Sequence, residues 1–185
     1  MGSISFPNSD IRNIKIGNSP WSSWSDGIVR ALDQIEEDYV LLMMEDEFLQ
    51  KRYDREFFLG LIAKFEEKDM NRLDIERSKN FCSNWVITCV GECGEFTLYK
   101  KCNNSSYLMC LTSAIWKKDF LRRCLFPSHS PRELEEEGTV LLREQSVGID
   151  LRLFMIKDTE WWTEVLSNRG GVSNVRYPEW SKLKK

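Results

Sequence analysis

Three adjacent carboxylates, Glu45, Asp46 and Glu47, follow directly on the apolar run 39–44 (YVLLMM), and no other residues in the sequence are better placed to do chemistry. In an extended stub Glu45 and Glu47 project to one side and Asp46 to the other, so two acids can share one cation while the third reaches a neighbouring group. Like charges this close repel one another, and a divalent ion relieves that cost. Magnesium or manganese suits such a donor set, because these ions take one or two protein carboxylates and complete their shell with water and phosphate oxygens. The plain alternative is a polar strand-to-helix loop whose acids favour the N-terminus of the next helix. Residue chemistry alone leaves both readings open.

The six cysteines, Cys82, Cys89, Cys93, Cys102, Cys110 and Cys124, form no CxxC pair, and the one histidine, His129, is remote from most of them. Cys89, Cys110 and Cys124 sit inside apolar runs, where a thiol behaves as a small hydrophobe. Free thiols are therefore expected ahead of a zinc site.

The elements that must position the acids follow from periodicity. Ile11, Ile14 and Ile16 stand near alternation as a short strand closed by Gly17-Asn18. Ile28, Ala31, Leu32 and Ile35 recur at helical spacing behind Ser25, a plausible N-cap. The run 39–44 shows no alternation, which predicts a strand buried on both faces, as in a parallel sheet covered by helices. A second helix is expected from about Asp54, with Phe57, Phe58, Leu61, Ile62 and Phe65 as its apolar stripe. Short strands are predicted over residues 72–76, 85–90, 96–99 and 107–111, and a short helix over 117–124. Ser130-Pro131-Arg132-Glu133 is a capping box with proline at the first helical position, so a helix starts there. A strand within 148–156 and a helix over 161–168 complete the expected α/β domain.

At 185 residues the chain fits one domain, 1–185, with enough length for a real core. A formal net charge of −3 with charged residues at 30% gives no basic surplus for a nucleic-acid partner. No apolar run approaches the roughly 20 residues that cross a bilayer, and the opening MGSISFPNSD lacks the basic and apolar regions of a signal peptide. The expectation is a cytoplasmic protein without a transmembrane segment.

The order of segments resembles a family of GT-A-type nucleotide-sugar glycosyltransferases found in bacteria and large viruses. The pieces that carry it are Trp24-Ser25-Asp26 opening a helix, DYVLLMMEDEFL, YLMCLTSAIWKKDFL, SPRELEEEGT and the closing FMIKDTEWWTEVLSNRGGV. Together they cover most of residues 20–170, and the conjunction is more specific than any one of them. The resemblance implies a GT-A-like mixed, mainly parallel sheet flanked by helices. It also implies an enzyme of polysaccharide biosynthesis that moves a sugar from a nucleotide-sugar donor to a glycan or lipid-linked acceptor. Asp46, with Glu45 and Glu47, would hold Mg2+ or Mn2+ and through it the diphosphate. Glu135, or less directly Glu133, would act as base on the acceptor hydroxyl. Trp116, Trp24 and Ser113 would line the substrate site, although a tryptophan at such a position is more often a core anchor.

The family begins with a strand, a helix and a second strand ahead of the point where this sequence starts to match it. The chain is thus expected to be N-terminally truncated relative to that fold, leaving the run 39–44 with an open edge or rearranged partners. That edge could join two copies into a homo-oligomer. His129 and Arg132 also stand where the family carries acidic and aromatic residues. A truncated, non-catalytic binding module is the second reading.

Overall fold

The structure, a computed structural model, describes residues 14, 16–17, 20–44, 47–49, 53–75, 86–157, 159 and 162–164. Four helices and eight strands run in the order α1 (Trp24–Leu32), β1 (Tyr39–Leu42), β2 (Glu47–Leu49), α2 (Arg55–Glu67), β3 (Arg72–Ile75), β4 (Ile87–Cys93), β5 (Phe96–Lys101), β6 (Ala114–Lys117), α3 (Lys118–Cys124), α4 (Pro131–Gln145), β7 (Leu153–Ile156) and β8 (Trp162–Glu164). Six strands form one mixed sheet in the order β1-β6-β3-β7-β5-β4, and β2 pairs with β8 in a separate ladder.

The expected α/β character holds, but the sheet is not mainly parallel. Only β3 and β7 pair in parallel, and the other four pairings in the sheet are antiparallel. The reason is local in part: β4 and β5 are joined through Gly94 and Glu95, a connection too short for anything but a hairpin. Chaining the pairings shows that β1, β3, β4 and β7 point one way and β5 and β6 the other. Four carboxyl ends therefore lie at one end of the sheet.

Alternation sorts the sheet's side chains into two cores. Val40, Leu42, Ala114, Trp116 and Leu153 face α1, α3 and α4. Tyr39, Leu73, Ile75, Leu98, Phe154 and Ile156 face α2, whose Leu61 and Phe65 are buried against them. Asp54 caps α2 by accepting from the Phe57 amide at 2.9 Å, and the predicted apolar stripe lies on the packed side. The predicted capping box is present at α4: the Glu133 amide donates to the Ser130 hydroxyl, and the Ser130 amide donates to Glu133 at 2.8 Å.

Ser25 does not cap α1. Ser23 holds that place without a capping side-chain bond, after a single 3-10 turn over Trp21–Ser23. Ser25 instead clasps the loop before α4: its amide donates to the His129 carbonyl and its hydroxyl accepts from the His129 amide, both at 3.0 Å. The run 39–44 is not buried on both faces either. Among the described residues β1 has only β6 beside it; its residues are half-buried, and Leu41 is 41% exposed. The strands buried on both faces are β3 and β7.

Two further expectations change. Residues 107–111 carry strand-like composition but no strand, because Tyr107 takes a left-handed conformation (φ 52°) that breaks the extended backbone. Residues 162–164 are extended rather than helical, held by the ladder to β2. Most of the strand expected over 11–16 lies outside the described residues, although the Ile16 carbonyl accepts from Arg30 of α1 at 2.8 Å. Among the described residues, no helix is long and apolar enough to cross a membrane.

Candidate functional site

Ligands of open α/β sheets gather at the carboxyl ends of the strands, where loops and helix N-termini meet. Here that end carries the exits of β1, β3 and β7 and the entry to β6. The register sets Leu42 opposite Ala114 and Ala114 opposite Asp74. Continuing past Leu42, Met43 and Met44 run toward the same end as Ser113 and Thr112, and the acidic segment follows them at once. Ser113 is fully buried, and its carbonyl accepts from the Ile75 amide at 2.9 Å, tying the start of β6 to the exit of β3.

Glu45 and Asp46 lie outside the described residues. Glu47 opens β2, and the antiparallel register places it directly opposite Glu164 of β8. Beside this ladder, Tyr53 donates its hydroxyl to the Thr159 carbonyl at 2.6 Å and stacks on Phe57 with ring centroids 3.9 Å apart. These contacts attach the start of α2 to the segment following β7.

The two candidate bases are both engaged by the fold. Glu133 completes the capping box, and hydrogen bonds from the Ser130 hydroxyl and amide hold its carboxyl below the usual range. Glu135 is half-buried two residues further along and accepts from the Leu111 amide at 2.8 Å. It belongs to a row of α4 side chains that bond residues 105–111. Thr139 accepts from the Met109 amide at 3.1 Å, and Arg143 donates to the Ser105 carbonyl at 3.2 Å. Four helical residues advance about 6 Å, and two extended residues about 6.6 Å. Side chains at 135 and 139 therefore match backbone groups at 111 and 109, and the helix supplies the bonds that a neighbouring strand would have made. Gly138 lets α4 come close enough, since a Cβ there would meet Met109 Cγ at 3.3 Å.

Trp116 is fully buried; the Arg72 guanidinium lies over its ring at 4.7 Å and Phe120 stacks beside it. Trp24 is half-buried against the same core. Trp116 thus sits as a core anchor with no open face for a sugar, whereas Trp24 is only partly covered.

A charge cluster that no motif in the sequence signals is buried within the sheet. Arg72 and Asp74 sit two apart on β3, fully buried and bonded to each other, and Lys101 Nζ lies 2.6 Å from the other Asp74 oxygen. Arg72 also donates to the Leu108 carbonyl at 2.6 Å, tying the cluster to the 105–111 segment. Burial opposes ionisation of Asp74, but the neighbouring Arg72 and Lys101 charges outweigh it and hold the carboxyl below its ordinary range. Cys110 lies within reach of the same charges; burial pushes its thiol up, and its sulfur contacts the Thr112 hydroxyl at 3.3 Å. Burial likewise pushes the Cys124 thiol up to about 12. The visible signal was a strand with charged residues at alternate positions, which reads as a solvated face unless a third charge is known to meet it.

Cys89, Cys93, Cys102, Cys110 and Cys124 carry free thiols. Among the described residues, no three His, Cys, Asp or Glu side chains are gathered closely enough to hold a metal ion. No protein-family model and no curated protein matches the chain.

Proposed function

We propose that this chain is a metal-dependent nucleotide-sugar glycosyltransferase of GT-A-like design, acting on a glycan or lipid-linked acceptor. One observation carries the reading: the β2–β8 ladder sets Glu47 directly opposite Glu164, in the chain segment that follows the exit of β1. Two acidic residues in direct register across a ladder weaken it unless a cation or donor lies between them. An all-carboxylate donor set fits Mg2+ or Mn2+ and suits softer metals poorly. When bound, such an ion neutralises the charge that gathers on a departing diphosphate. We assign Ser113, just ahead of β6, and Glu135, which accepts from the Leu111 amide, to the acceptor side.

The engagement of both Glu133 and Glu135 by backbone amides favours a second reading, a binding module without a free general base. Calorimetric titration of manganese with UDP or GDP separates the two. The transferase reading expects saturable heat that needs the metal and disappears in Asp46→Asn. Absence of any nucleotide response, with or without metal, leaves only the module.

A further inference from the structure

β1 ends the six-stranded sheet, and the orientation of its backbone groups follows from one hydrogen bond. Lys118 donates its amide to the Asp38 carbonyl at 2.8 Å, so Asp38 bonds toward β6. By alternation Val40 and Leu42 also bond toward β6, while the amides and carbonyls of Tyr39 and Leu41 point away from the sheet. Among the described residues, β1 pairs with nothing on that side.

The opposite edge, β4, is less suited to receive a strand. Its register shifts between Cys89 and Gly91, a bulge with Gly91 at φ 136°, and bulges interrupt further pairing. β1 has no such break.

Charge around the β1 edge is one-sided. Glu36, Glu37 and Asp38, all exposed, lead into the strand, and Glu66, also exposed, meets the Tyr39 hydroxyl at 3.3 Å. The neighbouring cations are occupied: Lys117 pairs with Asp69 at 2.7 Å, and Lys118 donates to the Ile35 and Glu36 carbonyls. Beyond the strand the sequence turns acidic again at Glu45, Asp46 and Glu47.

We propose that the outer edge of β1 is a docking site for an extended, basic peptide segment of a partner protein, which adds as a seventh strand. Its main chain would bond Tyr39 and Leu41, and its lysine or arginine side chains would meet the acids flanking the strand. This inference stands on the edge alone and does not depend on the glycosyltransferase reading.

The test is fluorescence anisotropy with a labelled heptapeptide of alternating valine and lysine, its valine–glutamate counterpart, and a lysine version with alternate amides N-methylated. The full chain should bind the first at least about tenfold more tightly than the other two. Leu41→Pro removes an outward amide without touching the bonds to β6 and should weaken binding by a similar factor. Reversing charge with Glu36→Lys and Glu37→Lys should move the preference to the glutamate peptide, and this variant decides the matter if the proline variant fails to fold. Equal binding of the N-methylated peptide would mean charge attraction alone and overturns the proposal. So does a wild-type dimer in sedimentation that Leu41→Pro converts to a monomer, since the edge then belongs to a second copy.

Discussion

Asp74 is the residue on which the interior depends most directly. Its carboxylate is fully buried between Arg72 and Lys101, so removing its charge strands cations in a region that excludes water. Asp74→Asn should lower stability by about 3–5 kcal/mol, measured by urea unfolding at neutral pH. Because the folded carboxyl titrates below its ordinary value of 3.8, its contribution is complete above that value and is lost as pH falls through the lower folded one. Urea midpoints followed from neutral pH to about pH 2 should show this acid-sensitive loss in the wild type and lack that component in Asp74→Asn. The residue scale is also where the sequence was hardest to read. Arg72 and Asp74 look like the wet side of a strand, and only the fold reveals that Lys101, 27 to 29 positions away, arrives to balance them. Glu133 and the capping box, by contrast, were legible because both partners lie within one turn of each other.

At the scale of elements, α4 acts as a substitute strand for residues 105–111. Thr139→Val keeps the shape but leaves the buried Met109 amide and carbonyl without their partner, at a cost of about 1–3 kcal/mol. Hydrogen exchange should locate the loss: the Met109 and Leu111 amides should exchange faster, while those of β3 and β7 follow only the global change. Uniform acceleration of all amides in proportion to the stability change would show that α4 gives the segment no separate hold. Beyond the break at Tyr107, residues 109 and 111 of the expected strand bond this helix and not a neighbouring strand. Composition reports that a segment is buried and extended; it does not report whether its bonds go to a strand or to side chains on a helix. α2 and α4 were legible because apolar spacing and caps are local properties, whereas β8 was misread as a helix because its pairing with β2 is not.

Across the whole molecule, the sequence told of an α/β domain, and the resemblance implied an open edge or rearranged partners at residues 39–44; among the described residues β1 pairs with β6 alone. The predominance of antiparallel pairing was not legible, since strand order depends on which distant segments meet. β7 is the clearest case. It inserts between β3 and β5 although it comes last of the six in the chain, and Arg72 pairs with Leu153 across 81 positions. Long loops of this kind slow folding, because chain closure comes before the reward of the contact. Ribosome-arrested chains that stop short of Leu153 should therefore remain protease-sensitive, and extending them past Ile156 and clear of the exit tunnel should bring resistance; resistance of the shorter chains would refute the dependence on β7. During synthesis, then, β3 and the β4–β5 hairpin must wait with a gap between them, their greasy flanks in need of a chaperone's shelter until the missing middle emerges.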